Sequence, residues 1–167
     1  MDNKYTALLS HAERNDLNPQ DLRLCFELLS TSRQIDLSCA AKLSPYQLSE
    51  SRFVILFLLR EEKTGLPPCL LAQRAGISRA TLTGLLDGLE RDGFILRNPV
   101  QEDRRSILIT LTNKGADIAS ALTDQHMRWI ASLMKPLNAQ EKLTLSALLT
   151  KIRITAKASA DHDKASG

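Results

Sequence analysis

Residues 70–115 read LLAQRAGISRATLTGLLDGLERDGFILRNPVQEDRRSILITLTNKG. Leu82, Leu85, Leu86 and Leu89 fall at i, i+3, i+4 and i+7, the spacing of an amphipathic helix. Ser78 stands where a cap belongs, and Asp92-Gly93 supplies a glycine stop. Just upstream, residues 68–75 read as a short helix, and Gly76 offers the turn conformation that a Cβ resists. Downstream, 94–97 and 107–111 are β-rich runs separated by Asn98-Pro99 and a charged segment, so they predict a hairpin with its tip at 101–106. A helix, a turn, a second helix and an arginine-tipped hairpin follow without a gap. This order predicts a mainly α fold with a small β-hairpin wing. It also predicts a DNA-reading surface, with the second helix for the major groove and the basic loop for the minor groove.

Working outward, residues 1–17 form a polar N-terminal arm or a short helix. Asn18-Pro19 is a cap followed by a first-turn proline, and Leu22, Cys25, Phe26 and Leu29 repeat at helical spacing. That helix is expected to run to about Ala41, with Ser44-Pro45 breaking it. A second helix is expected after Ser49. Its core, residues 53–59, is apolar all round, which predicts a central helix buried on every side, with a buried strand as the competing reading. Thr112 is expected to cap a long helix carrying Ile118, Leu122, Trp129 and Leu133 on one side, and Pro136 closes it. Asn138 starts a last helix with Leu145, Leu148, Leu149 and Ile152 on one face. The tail, 156–167, is small and polar and reads as disordered.

Composition bounds the function classes. The chain has 167 residues, 43% apolar and 25% charged, as expected for one soluble globular domain. Its net charge of +3 is too mild to argue for nucleic acid by itself. The kind of base is more telling: from Arg74 to Arg105 every basic residue is arginine, namely Arg74, Arg79, Arg91, Arg97, Arg104 and Arg105. Arginine forks onto guanine edges and enters narrow minor grooves better than lysine does. Three cysteines at irregular spacing, Cys25, Cys39 and Cys69, suggest neither a disulfide framework nor a metal site. No apolar run approaches the ~20 residues of a membrane span, and the first residues lack the apolar core of a signal peptide, so the expected location is cytoplasmic. Phosphate-binding glycine loops, H-E-x-x-H and nucleophile elbows are absent from the sequence, which argues against an enzyme and calls for no cofactor.

The candidate DNA-binding residues are Ser78, Arg79, Ala80, Thr81, Thr83, Gly84, Arg97, Asp103, Arg104 and Arg105. Short side chains let a helix backbone approach base edges, and Arg79 at the helix start can reach a guanine or a phosphate. Ser78 and Thr81 can bond phosphate, aided by the helix N-terminus. At the hairpin, one arginine can enter an A·T-rich minor groove while Asp103 holds the other guanidinium. As plain surface ion pairs these charges would contribute only about 0–1 kcal/mol, so stability is a poor explanation for them. The competing reading is a solvated face on which Ser78 merely caps. A winged helix that binds protein is a further alternative, disfavoured by the paired arginines.

With LAQRAGISRATLTGLLDGLERDGFI, the DRRS wing and ITLTNKG in place, the chain resembles the MarR-type winged-helix transcriptional regulators over roughly residues 20–155. The resemblance implies a homodimer, with 18–48 and 112–155 forming the helical dimerisation region and 49–111 the winged helix-turn-helix domain. It also implies binding to palindromic operators, often as a repressor released by a small lipophilic or aromatic ligand or by oxidation. The apolar stripes Leu22, Cys25, Leu29 and Leu145, Leu148, Leu149, Ile152 agree with a dimer; packing within one chain is the alternative. The family's ligand cleft implies lining by Cys25, Phe26, Phe53, Phe57, His126 and Trp129, although His126 reads first as a satisfied core histidine and Trp129 first as core. Leu24-Cys25-Phe26 is similar to the organic-hydroperoxide-sensing branch, where a cysteine at this place is oxidised. That branch supplies tyrosines where this chain has Leu29 and Cys39, so a buried, unreactive Cys25 is the competing expectation.

Overall fold

A computed structural model describes residues 3–13, 18–100 and 103–165. The helices are α1 (Asn3–Glu13), α2 (Pro19–Leu43), α3 (Glu50–Glu61), α4 (Pro68–Ala75), α5 (Arg79–Arg91), α6 (Asn113–Leu133) and α7 (Ala139–Ala165). Strands β1 (Ile95–Val100) and β2 (Asp103–Leu111) form one antiparallel hairpin. The chain divides into two compact units, Met1–Ser120 and Ala121–Gly167.

In the first unit, α2 starts as the sequence dictates. Asn18 accepts from Gln20 N at 3.0 Å, Pro19 occupies the first turn, and the helix stops in a 3-10 turn at Ser44–Tyr46. The N-terminal segment is helical, and the Tyr5 ring stacks on Phe26 of α2 at 4.7 Å. Residues 53–59 are helix, not strand. Only one face of α3 is fully buried: Phe53, Ile55, Leu56 and Leu59 are, whereas Val54, Phe57 and Leu58 are half-buried. The expectation of a helix enclosed all round therefore needs correction. α3 packs against α2, α4, α5 and β2, and these neighbours cover only part of its circumference.

The core of the winged part gathers α3 with Leu66, Leu71, Leu82, Leu86, Leu89, Phe94, Ile95 and Ile109. Each such side chain contributes about 1.5–3 kcal/mol on leaving water. The hairpin pairs Ile95 with Leu111 and Arg97 with Ile109, and its register shifts between Pro99 and Val100, where proline cannot donate to a ladder. Val100 faces Asp103, so the backbone of Asp103 to Ser106 belongs to β2. The loop read from sequence over 101–106 is thus largely strand, because pairing continues until only Gln101 and Glu102, both outside the described residues, separate the strands. Sequence reading also missed a third partner: Leu66 exchanges two backbone hydrogen bonds with Ile109, at 3.0 and 2.9 Å. Gly65 makes that approach feasible. It sits at φ +87°, and a Cβ there would lie 2.8 Å from the Ile109 carbonyl oxygen.

The second unit holds the end of α6 and all of α7. Asn138 and Glu141 cap α7 reciprocally, each side chain accepting from the other's backbone N–H at 2.9 and 2.8 Å. The helix continues to Ala165, where a disordered tail was expected from 156. Alanine and lysine dominate AKASADHDKA, and their helix propensity outweighs a composition that reads as structureless. From Ala139 to Ser159 every side chain of α7 is exposed, including Leu143, Leu145, Leu148, Leu149, Ile152 and Ile154.

Candidate nucleic-acid interface

The interface is built on α4, a turn and α5. Gly76 adopts the left-handed conformation (φ 66°, ψ 30°), and the next amide, Ile77 N, bonds Ala72 O at 3.1 Å, closing α4. Ser78 then caps α5, accepting from Thr81 N at 3.1 Å, and its hydroxyl also meets that of Thr81 at 2.8 Å. Leu82, Leu86 and Leu89 anchor one side of α5 in the core. Opposite them Ala80, Gly84, Asp87 and Arg91 are exposed, with Thr81 and Thr83 exposed on the flanks and Arg79 exposed at the helix start. Thr83 donates its hydroxyl to Arg79 O at 3.0 Å. A Cβ added at Gly84 would meet nothing within 4 Å. The protein's own packing therefore gives no reason for glycine at that helix position, where it costs about 1 kcal/mol relative to alanine.

The far end of α5 is fastened by residues that the sequence did not single out. Arg52 of α3 donates to the Asp92 carboxylate through Nη2 and to Gln47 O through Nη1 at 2.9 Å. Lys114 of α6 donates to Asp92 O at 2.8 Å and lies 4.5 Å from the centre of the Phe94 ring. Thr112 adds a hydroxyl donated to Gly93 O at 2.8 Å, and it accepts from Gly115 N at 3.0 Å. The hydrogen bond from Arg52 holds the Asp92 carboxyl below the usual carboxylate range, against a smaller opposing effect of burial and with help from the charges of Arg52, Arg91 and Lys114. Asp92 had a local signal, the glycine stop beside it. Arg52 lies 40 residues away in an apolar helix and had none.

Arg97, expected at the DNA, has its guanidinium paired with Asp87 at 2.5 Å and Glu90 at 3.4 Å, both on α5. Asp103, Arg104 and Arg105 have their backbone in β2; their side chains, and the expected Asp103–arginine pairing, lie outside the described residues.

The six residues expected to line a ligand cleft have mixed fates. Phe26 is engaged in stacking with Tyr5, Phe53 is core and Phe57 is half-buried. His126 is buried and tilts against Trp129, ring centres 5.2 Å apart. Cys25 is exposed in the single chain, where a buried thiol was the competing expectation. The buried cysteine is Cys39, whose pKa is pushed up by burial and by the nearby Glu50 and Asp36 charges. Two clefts of ligand size lie elsewhere. One, about 520 Å³, is walled by Leu59, Arg60, Lys63, Thr110, Leu111 and Ser120 in the first unit. The other, about 510 Å³, is walled by Met134, Leu145, Leu149 and Arg153 in the second.

A capped, outward-facing helix after a tight turn, followed by a two-stranded hairpin, defines a winged helix-turn-helix DNA-binding regulator. Residues 48–107 match the MarR family. The chain is 36% identical over 141 residues to the HTH-type transcriptional repressor YetL of Bacillus subtilis, covering 83% of this chain and 84% of YetL. It is 32% identical over 142 residues to the HTH-type transcriptional regulator PecS of Dickeya dadantii, covering 84% and 86%. Among solved structures, the MepR–DNA complex of S. aureus superposes with a TM-score of 0.68 at 23% identity, covering 78% of this chain and 96% of that one. The chain belongs to the MarR family of transcriptional regulators, proteins that bind DNA and are not enzymes. No helix among the described residues is long and apolar enough to cross a membrane.

Proposed function

We propose that the protein is a homodimeric repressor that binds a palindromic operator and is released by a small lipophilic or aromatic ligand. One observation carries the dimer: α7 exposes six leucines and isoleucines along its length, with Leu143 at 67% and Ile154 at 64%. Large apolar side chains left open to water along a helix call for a partner, and a second copy supplies an equal surface. α2 adds Leu24, Leu29 and Leu37, also exposed. Two copies would present two α5 helices to successive major grooves about 34–36 Å apart. Repression is supported by the similarity to YetL, named a repressor. The second reading is release by oxidation at Cys25, a thiol exposed in the single chain on the α2 stripe offered to the dimer.

Sedimentation and fluorescence anisotropy against an inverted repeat test the proposal together. A dimer that prefers the repeat over genomic DNA is the expected result, with Leu148→Glu giving a monomer of weakened affinity. A monomeric wild type, or equal affinity for all sequences, refutes it. Hydroperoxide treatment of wild type and Cys25→Ser decides the second reading, since identical loss of operator affinity in both removes Cys25 from it.

A further inference from the structure

Arg97 stands at the base of the hairpin, in β1 opposite Ile109, and reaches sideways onto α5. Its Nη2 meets Asp87 Oδ1 at 2.5 Å and its Nε lies 3.4 Å from Glu90 Oε2. The two carboxylates sit three residues apart on one flank of the helix, so a single planar fork engages both. All three side chains remain partly exposed, at 32%, 58% and 41%, and ion pairs of that exposure add little to stability. Geometry is what they can supply: the pair joins the strand leading into the hairpin tip to the middle of the helix, well away from the Arg52–Asp92 fastening at the helix end.

We propose that Arg97 is a positioning residue: by clamping β1 to Asp87 and Glu90 it fixes the separation between the groove-reading helix and the hairpin tip, and so sets which operator spacings are accepted. The proposal rests on the DNA-binding reading above. A residue that touched phosphate would add about 0.9 to the slope of log affinity against log salt, whereas a clamp adds nothing to that slope.

The test uses the full chain with Arg97→Met, which keeps length and removes charge, and Arg97→Lys, which keeps charge and loses the fork. Operators are compared in which the A·T-rich segment is shifted by one base pair from the half-site. Wild type should prefer the correct spacing by about tenfold, the size of one mismatched base pair. Arg97→Met should lose that preference with an unchanged salt slope, and Arg97→Lys should fall between. A slope lowered by about 0.9, or a preserved spacing preference, would overturn the proposal. A DNA-independent arm separates it from the reading it rests on. Spin labels at Thr83 and Ile107, with the native cysteines replaced, should give a narrow distance distribution that broadens in Arg97→Met. Equal widths sink the clamp even if no operator is ever bound; broadening sustains the clamp, and the operator arm then decides whether the clamp sets the spacing.

Discussion

Gly84→Ala separates what the fold needs from what the DNA needs. Gly84 lies in the interior of α5, on the face opposite Leu82, Leu86 and Leu89, and an added methyl would meet nothing of this chain within 4 Å. Helix propensity then acts alone, and alanine should stabilise by about 1 kcal/mol, roughly 2–4 °C in melting temperature for a chain of this length. The same methyl would project into whatever α5 lies against. Overpacking of a close contact costs about 1–3 kcal/mol, which is about 5- to 150-fold in operator affinity. Gly115→Ala is the matched control with the opposite sign. Its Cβ would overlap the Phe94 carbonyl oxygen and lie 2.9 Å from the carbonyl carbon, so the α6 start must move away from Phe94. That movement strains the Thr112 bonds to Gly93 and Phe94 and the bond it accepts from Gly115, each worth about 1 kcal/mol, and outweighs the propensity gain. Urea unfolding by circular dichroism and operator titration on the same samples read both effects. A Gly84→Ala protein that is more stable and binds as tightly as wild type would refute the placement of this face against DNA. A less stable one would refute the packing argument, as would a Gly115→Ala protein at least as stable as wild type.

Other perturbations follow from single contacts. Asp92→Asn should destabilise at neutral pH; because the folded carboxyl titrates below its unfolded value of about 3.9, the deficit should be full above that pH and vanish as pH falls through the folded value. Unfolding titrations of both proteins at several pH values check this, and a deficit that persists in strong acid would point to lost packing instead. A maleimide should label Cys69 quickly and Cys39 slowly until the protein is unfolded, since Cys39 is buried with a raised pKa; mass spectrometry of quenched time points would show equal rates if this is wrong. Arg105→Ala should weaken operator binding and lower the salt slope, while Arg79→Ala should relax base preference more than overall affinity. Anisotropy across salt concentrations and operator variants tells them apart, and unchanged affinity in Arg105→Ala would reject the wing contact.

The parts of this molecule legible in its sequence are those decided within a few residues. The Ser78 cap, the Gly76 turn, the leucine spacing of α5 and the Asp92-Gly93 stop each depend on local backbone chemistry, and all stand in the structure. Elements settled by distant partners were not legible. Leu66 pairs with Ile109 from 43 positions away, and nothing around Gly65 says that its missing side chain makes room for another strand. Arg97 looked like a DNA contact because its type suits one; only the fold shows Asp87 and Glu90 claiming it. The tail misled for the opposite reason, since its composition was weighed for burial when its helix depends on propensity alone.

The same division separates the two arginines that hold α5. Arg52 reaches Asp92 from the edge of the core, with a side chain 17% exposed, so losing it would remove the hydrogen bonds that tie the end of α5 to α3 and cost stability. Arg97 works in partial contact with water, where losing it strands little, so its effect should appear in geometry and recognition instead of melting temperature. That inequality leaves the hairpin more readily displaced than the end of the helix. The stronger fastening sits at the end of the helix that packs on the body, and the weaker one where the hairpin departs. If Arg97→Met proved as destabilising as Arg52→Met in the same urea titration, this inequality would be absent and the hairpin would be as fixed as the helix it accompanies.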